Sequence, residues 1–483
     1  MDTVVIGEIN KRSQKFETLQ KRVAYVLFAG VMLVLLQAFF CLTLVGTVTN
    51  TVSNKSHFMY YSQVYLKFCS MLLTVFLLTY YIIKIYVNVE KSTVKMGKFT
   101  QDNMILLPFA FMLLWALIAT FKSPYFEKSL YGAGYINEGY FTVLQYAVVF
   151  LSAYAIRDEI KWAKEAMLWT FICMAGLICF VFIGIEITKY KIPTSLKSGV
   201  FNNSNHYGYF LAMSSTATFG ALVYSKRKWQ IFLSAILLPL NIFNLLACNT
   251  LGANIAYICG IFFILCSGLI TKKLDWKRLV IACVLSGVVN LIIEVSGRTN
   301  MWESYVQLFK DIKRVISPGS GSEGGDDNSS AGTGRFGLWV RTIAVIKQVP
   351  WFGKGLDLYH ANNIYDTSLD VSHNEYITMA SNIGIPGLVM YLGTVIWWFI
   401  RAVKARKILT VCDLTLLATT FAYLISAVFG NSFTYTYPYL LIFLALSMQK
   451  PCVREDKYKK LQEANDGLIN TSQLEKASER VAA

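Results

Sequence analysis

The run SHNEY at 372–376 sets a histidine, an asparagine and a glutamate side by side, as His373, Asn374 and Glu375. A neutral imidazole near pH 7 suits a general base, and Asn374 or Glu375 could orient its ring. Two further stretches, GRTNMW from Gly297 and GRFGLW from Gly334, repeat the pattern Gly-Arg-x-x-x-Trp. They place Trp302 four residues after Arg298 and Trp339 four residues after Arg335, so in a helix each pair shares one face. Taken singly, each is an ordinary surface helix with a Trp at a membrane interface and an Arg at lipid headgroups. Converging on one histidine, the two guanidinium forks match a diphosphate, because arginine binds phosphate oxygens bidentately and stays charged. Cleaving a sugar–diphosphate bond needs charge stabilised on the leaving group and a base for the attacking hydroxyl. These residues supply both parts without a metal, and the substrate they imply is a lipid-linked diphosphate.

The other candidates are weaker. His57, His206 and His360 read as surface or interfacial histidines, and no histidine pair has the i, i+4 spacing of a helical zinc site. The ten cysteines avoid every predicted outward loop, which gives neither a disulfide framework nor a Cys-type metal site. No cofactor is expected.

What must position these residues is a membrane. Of 483 residues, 55% are hydrophobic and 15% charged, against about 25% charged in soluble chains. Apolar runs long enough to cross a hydrocarbon core recur throughout, predicting an all-α polytopic fold. About twelve spans are expected, near 23–47, 60–86, 104–121, 140–156, 166–188, 207–225, 229–247, 252–270, 279–295, 377–400, 412–428 and 436–449. With the N-terminus inside, the inner segments hold 29 of the 45 Lys and Arg. That bias places both termini in the cytoplasm and accounts for most of the net charge of +16 without nucleic-acid binding.

The expected organisation is a cytoplasmic N-terminus (1–22), nine spans (23–295), a long extracytoplasmic loop (296–376), three spans (377–449) and a cytoplasmic tail (450–483). The loop is too long to be a plain connection. Its centre, SPGSGSEGGDDNSSAGTG from Ser317, has linker composition. Its flanks carry apolar residues at helical spacing and read as amphipathic helices lying on the membrane.

Over 333–392 the sequence resembles the O-antigen ligase/polymerase family of bacterial envelope glycosyltransferases. GRFGLW, VPWFGKGLD and VSHNEYITMASNIGIPGLVMYL follow, in order, the family's Gly-Arg-x-x-x-Trp, Pro-x-x-Gly-x-Gly, His-Asn-x-x and Gly-Ile-x-Gly-Leu segments. Weaker echoes are YGAGYINEGYFTVLQY at 131–146 and SGVFNNSNHYGYFL at 198–211. The resemblance implies a glycosyltransferase-C-like enzyme, with His373 as base and Arg335 on the diphosphate. Glu138, Asn203 and Asn205 match polar positions without a settled role. One departure stands out: where the family has a Ser-Arg pair whose arginine also binds diphosphate, this chain has Asn249-Thr250. Arg298 is the expected substitute and Arg341 the fallback.

The reading is therefore an inverting, metal-independent transfer at the outer face of a bacterial cytoplasmic membrane. It would use an oligosaccharide on undecaprenyl diphosphate and a glycan acceptor to polymerise or ligate a capsule or other surface polysaccharide, alongside other assembly proteins. Trp302 and Trp339 would seat the helices or stack on a sugar. The rivals are a flippase for lipid-linked sugars, which should carry ionisable groups at the membrane midplane, and an inactive assembly scaffold.

Overall fold

The computed structural model describes residues 2–40, 54–90, 104–133, 137–189, 196–201, 203–297, 299, 302–306, 309–310, 335–358, 372–431 and 434–448. Arg298, His360, the linker from Ser317 and the tail from 450 lie outside them. The described residues form helices, turns and coil: α1 Asp2–Leu35, α2 Asn54–Glu90, α3 Leu107–Lys122, α4 Phe126–Tyr131, α5 Tyr140–Glu159, α6 Ala163–Thr188 and α7 Ser204–Tyr224, then α8 Lys228–Ala247, α9 Leu251–Thr271, α10 Trp276–Val295, α11 Arg335–Gln348, α12 Glu375–Lys404, α13 Val411–Ser426 and α14 Tyr437–Ser447. Helices are the expected answer for apolar runs in lipid, where every backbone polar group must find its partner inside the segment.

A helix stands at each of the twelve expected spans. Among the described residues, nine are long and apolar enough to cross a membrane. The other three differ for physical reasons. α3 and α14 are shorter apolar helices. α7 has the length but carries Ser214, Ser215, Thr216 and Thr218, and every residue from His206 to Tyr224 is buried. A helix buried on all sides need not be greasy on any one face. α7 is thus the central post, packed against α8, α9 and α13. By contrast α10 buries only Leu279, Ala282 and Ile293, leaving most of its apolar surface outward. α1 begins well before the expected 23; at its polar end Gln20 donates to Glu159 of α5 at 2.7 Å.

The decisive irregularity is in α12. Gly384 has φ 77° and ψ 171°, which splits the helix, and Pro386 follows in the first turn of the second half. A break inside an apolar helix strands backbone groups, and here the loop after α11 receives them. Lys354 N donates to Ser381 O at 2.8 Å, Gly355 N donates to Asn382 O at 3.0 Å, and Ile385 N donates to Pro350 O at 2.8 Å. The indole N–H of Trp115 on α3 donates to Ile383 O at 3.0 Å and reaches Trp351 O at 3.2 Å. Its ring stacks on Phe352 with centroids 5.0 Å apart. The Pro-x-x-Gly-x-Gly and Gly-Ile-Pro-Gly segments are therefore two sides of one joint. A Cβ on Gly353 would sit 2.4 Å from the Asn382 backbone carbon, and one on Gly384 would sit 2.0 Å from Trp351 O.

The joint predicts opposite outcomes for two glycines. Gly384→Ala combines a Gly-only backbone conformation with a backbone clash and should cost more than the roughly 1–3 kcal/mol of strain alone. Gly184→Ala in α6 meets no atom within 4 Å and should gain up to about 1 kcal/mol of helix propensity. Thermal unfolding of the detergent-purified variants checks both signs.

Candidate active site

Arg335, Asn203 and Asn205 meet at one end of the bundle, and Trp339 ties the helix of Arg335 to the segment before His373. Arg335 is the first residue of α11, where helix backbone dipoles already favour an anion. Its guanidinium donates through Nη1 to Phe429 O at 3.1 Å and through Nη2 to Asn205 Oδ1 at 3.2 Å. Both partners are neutral oxygens, and among the described residues no carboxylate lies within ion-pair distance of Arg335. Among the described residues the site thus holds a positive charge without a carboxylate paired to it. Such a group attracts an anion, and its hydrogen bonds set its direction beforehand.

Asn205 owes its position to Asn203. Asn203 caps α7, its side-chain oxygen accepting from Asn205 N at 2.9 Å and His206 N at 3.4 Å. The Asn-x-Asn spacing therefore gives one residue to the cap and one to the arginine. Tyr209, one turn further on, donates its hydroxyl to the same Phe429 O at 2.8 Å. Thr250 stands beside this group: its hydroxyl donates to Ser204 O at 3.0 Å. Thr250, where the resemblance leads one to expect an arginine, is neutral and buried, and it bonds to Ser204 next to Arg335's partner Asn205. Arg298 lies outside the described residues. Arg341 is exposed on α11, six residues past Arg335. Lys197 is an exposed cation at this end, near enough for its charge to be felt at Cys248.

His373 adopts a left-handed backbone, φ 52°, immediately before α12. Its flanks are tightly held. Trp339 donates its indole N–H to Ser372 O at 2.9 Å, so the tryptophan ties α11 to the histidine segment. Asn374 caps α12, its side-chain oxygen accepting from Tyr376 N and Ile377 N, each at 3.0 Å. Glu375 is buried and accepts from the Tyr391 hydroxyl at 2.8 Å. His206, also buried, lies within electrostatic reach of His373. Trp302 is 71% exposed and falls in a short helical stretch at 302–306.

A cavity of about 110 Å³ is lined by Glu138, Glu375, Thr378, Asn382 and Asn431 together with apolar side chains of α3, α5, α12 and α14. Glu138 is held by the Tyr146 hydroxyl, 2.8 Å from both carboxyl oxygens, and by Thr434 N at 3.0 Å. Asp357, at the end of the joint loop, accepts from Ala133 N at 2.6 Å and Glu138 N at 3.0 Å. Burial pushes Glu138 up to about 8, and the negative charge of Asp357 adds to this. Burial likewise raises Asp357 to about 7 and lowers Lys354 to about 8. The sequence reading did not single out Asp357, Asn431, Phe429 or Tyr209. Phe429 acts through a backbone carbonyl, which no side-chain pattern marks; Asp357 was signalled only as the last residue of VPWFGKGLD.

The fold defines an all-α polytopic membrane protein, and the candidate site sets an arginine directed by two neutral oxygens on the helix that Trp339 ties to the segment before His373. Residues 236–392 match the O-antigen ligase family, which bears out the resemblance read from the motifs. That family implies a glycosyltransferase-type enzyme acting on lipid-linked glycans in the membrane. None of the curated proteins compared with the chain matches it. The matched stretch contributes Arg335, Trp339 and His373, whereas Asn205, Phe429 and Glu138, which hold the site together, lie outside it.

The raised carboxyls make stability depend on pH. A carboxyl whose folded value exceeds its unfolded value of about 4 stabilises fully at low pH, and that contribution is lost as pH rises toward the folded value. Between pH 5 and 7 Glu138 and Asp357 both act in this direction, while Lys354 is protonated in both states. The thermal midpoint should fall over this window, and Glu138→Gln should make the fall shallower. Scanning calorimetry at pH 5, 6 and 7 reads the two slopes.

Proposed function

We propose that the protein transfers or polymerises an oligosaccharide from undecaprenyl diphosphate at the outer face of a bacterial cytoplasmic membrane, for capsule or another surface polysaccharide. The observation that carries this reading is Arg335: a half-buried cation at a helix N-terminus, aimed by two neutral oxygens, with no carboxylate beside it among the described residues and a histidine segment tied to the same helix by Trp339. With both termini in the cytoplasm, as the basic inner loops support, this end of the bundle faces outward.

In the proposed reaction the donor diphosphate lies against Arg335 and the N-terminus of α11, with Arg298 as the second cation in place of the residue absent at Thr250. The acceptor hydroxyl oxygen attacks the anomeric carbon from the side opposite the diphosphate and inverts it. His373 takes the hydroxyl proton as the new C–O bond forms. The bond to the diphosphate breaks, and its electron pair leaves on the phosphate oxygen, where Arg335 stabilises it. This assignment needs no metal ion, because the fixed cations act where charge develops. Asn374 and Glu375 act by holding the start of α12, which sets where His373 projects.

The test is incubation of the purified protein with an undecaprenyl-diphosphate oligosaccharide and candidate glycan acceptors, reading products by mass spectrometry. Longer glycans or a new conjugate support the proposal; movement of the lipid-linked sugar across vesicles without a new glycosidic bond overturns it. His373→Ala should lower kcat roughly 10²- to 10⁴-fold, the range for a lost general base. Arg335→Ala should lower kcat/KM about 10²- to 10³-fold, as for a lost preorganised donor. Arg298→Ala should also cut turnover strongly, and near-normal activity would remove it from the site.

A further inference from the structure

We infer that the segment 429–431, between α13 and α14, is the spacer that fixes the distance between Arg335 and His373, and that Asn431 is its positioning residue. The inference rests on the function proposed above. The contacts form a closed ring. Arg335 Nη1 donates to Phe429 O at 3.1 Å. Two residues along, Asn431 Oδ1 accepts from Thr378 Oγ1 of α12 at 2.9 Å. Thr378 Oγ1 lies 2.7 Å from Ser372 Oγ, the residue before His373. Ser372 O accepts from Trp339 Nε1 at 2.9 Å, and Trp339 is one helical turn from Arg335 on α11. Cation and base thus sit on opposite sides of one hydrogen-bonded circuit.

The spacer itself has little freedom. The Tyr209 hydroxyl donates to Phe429 O at 2.8 Å. Gly430 passes so close to that ring that a Cβ would lie 1.8 Å from the hydroxyl oxygen. Further on, Thr434 N donates to Glu138 at 3.0 Å, and Thr434 O accepts from Gln37 Nε2 at 3.0 Å. Asn431 is 5% exposed and its amide oxygen is the group that passes this rigidity to α12. Other bonds in the ring do not replace it. Trp339 holds Ser372 through the backbone carbonyl, and the Tyr376 hydroxyl ties the start of α12 to Leu424 O of α13 at 2.7 Å. Among the described residues, only the Asn431–Thr378 bond links the spacer to the Ser372 side chain beside His373. A displacement of about 1 Å in such a site can cost about 10²-fold in rate.

The role separates from a merely structural one by its kinetics. Asn431→Leu removes the acceptor, and Asn431→Asp keeps it. Asn431→Leu should lower kcat about 10- to 100-fold while the KM for the lipid-linked donor changes less than about threefold, since Arg335 keeps Phe429 O and Asn205. Asn431→Asp should retain at least about a third of wild-type kcat. Thr378→Val should reproduce the loss, and the double variant Asn431→Leu/Thr378→Val should be no slower than either alone, as for two residues in one contact. Wild-type kcat in Asn431→Leu, a loss confined to KM, or an Asp variant as slow as Leu would each overturn the inference. If the wild-type protein makes no glycosidic bond, the proposed function fails separately. The spacer is then read by hydrogen exchange: faster exchange of the 374–378 amides in Asn431→Leu, with α9 unchanged, upholds it, and unchanged exchange at 374–378 overturns it.

Discussion

The structure depends on one interrupted helix. An apolar helix in lipid cannot break without leaving carbonyl and amide groups in a medium that offers them nothing. α12 does break, at Gly384, and it is sealed by the backbone of 350–355 and the indole of Trp115. That repair docks the loop after α11 onto the middle of α12. It follows that α11, which begins with Arg335, and α12, which begins just after His373, cannot move independently. The two groups that the proposed reaction uses are thus held by a joint several turns away from both.

The charge distribution around this joint is the second organising fact. Arg335 is directed by carbonyl and amide oxygens rather than by a carboxylate. An ion pair there would have satisfied the arginine and removed its attraction for an anion. Three acidic side chains among the described residues are each held by donors: Glu138 by Tyr146 and Thr434, Glu375 by Tyr391, and Asp357 by two backbone amides. Burial raises Glu138 to about 8 and Asp357 to about 7, so near neutrality much of this acidity is unexpressed. The result is a polar framework that tolerates an electropositive centre without quenching it.

Much of the fold was legible in the sequence because hydropathy reports burial in lipid directly: all twelve expected spans carry helices. Where the reading and the structure part, polarity or length is the cause. α7 fails as an ordinary span because its serines and threonines face other helices, and α14 is a short apolar helix. In the site, Arg335, His373, Asn203 and Asn205 were visible as residue types in a recognisable order. Asn205's hold on Arg335 and the link from Trp339 to Ser372 were not, since both pair groups far apart in the chain and the second uses a backbone oxygen.

The sequence by itself determined the class of the protein, its helices and the motif order, and it nominated Arg335 and His373 as candidates, because those follow from local composition and spacing. Only the tertiary structure decided which atoms those residues face. The Pro-x-x-Gly-x-Gly loop turned out to complete a broken helix, and Arg335 rests on Asn205 and Phe429, 130 residues before it and 94 residues after it. Such partners are chosen by packing across the bundle, where one-dimensional pattern carries no distance information.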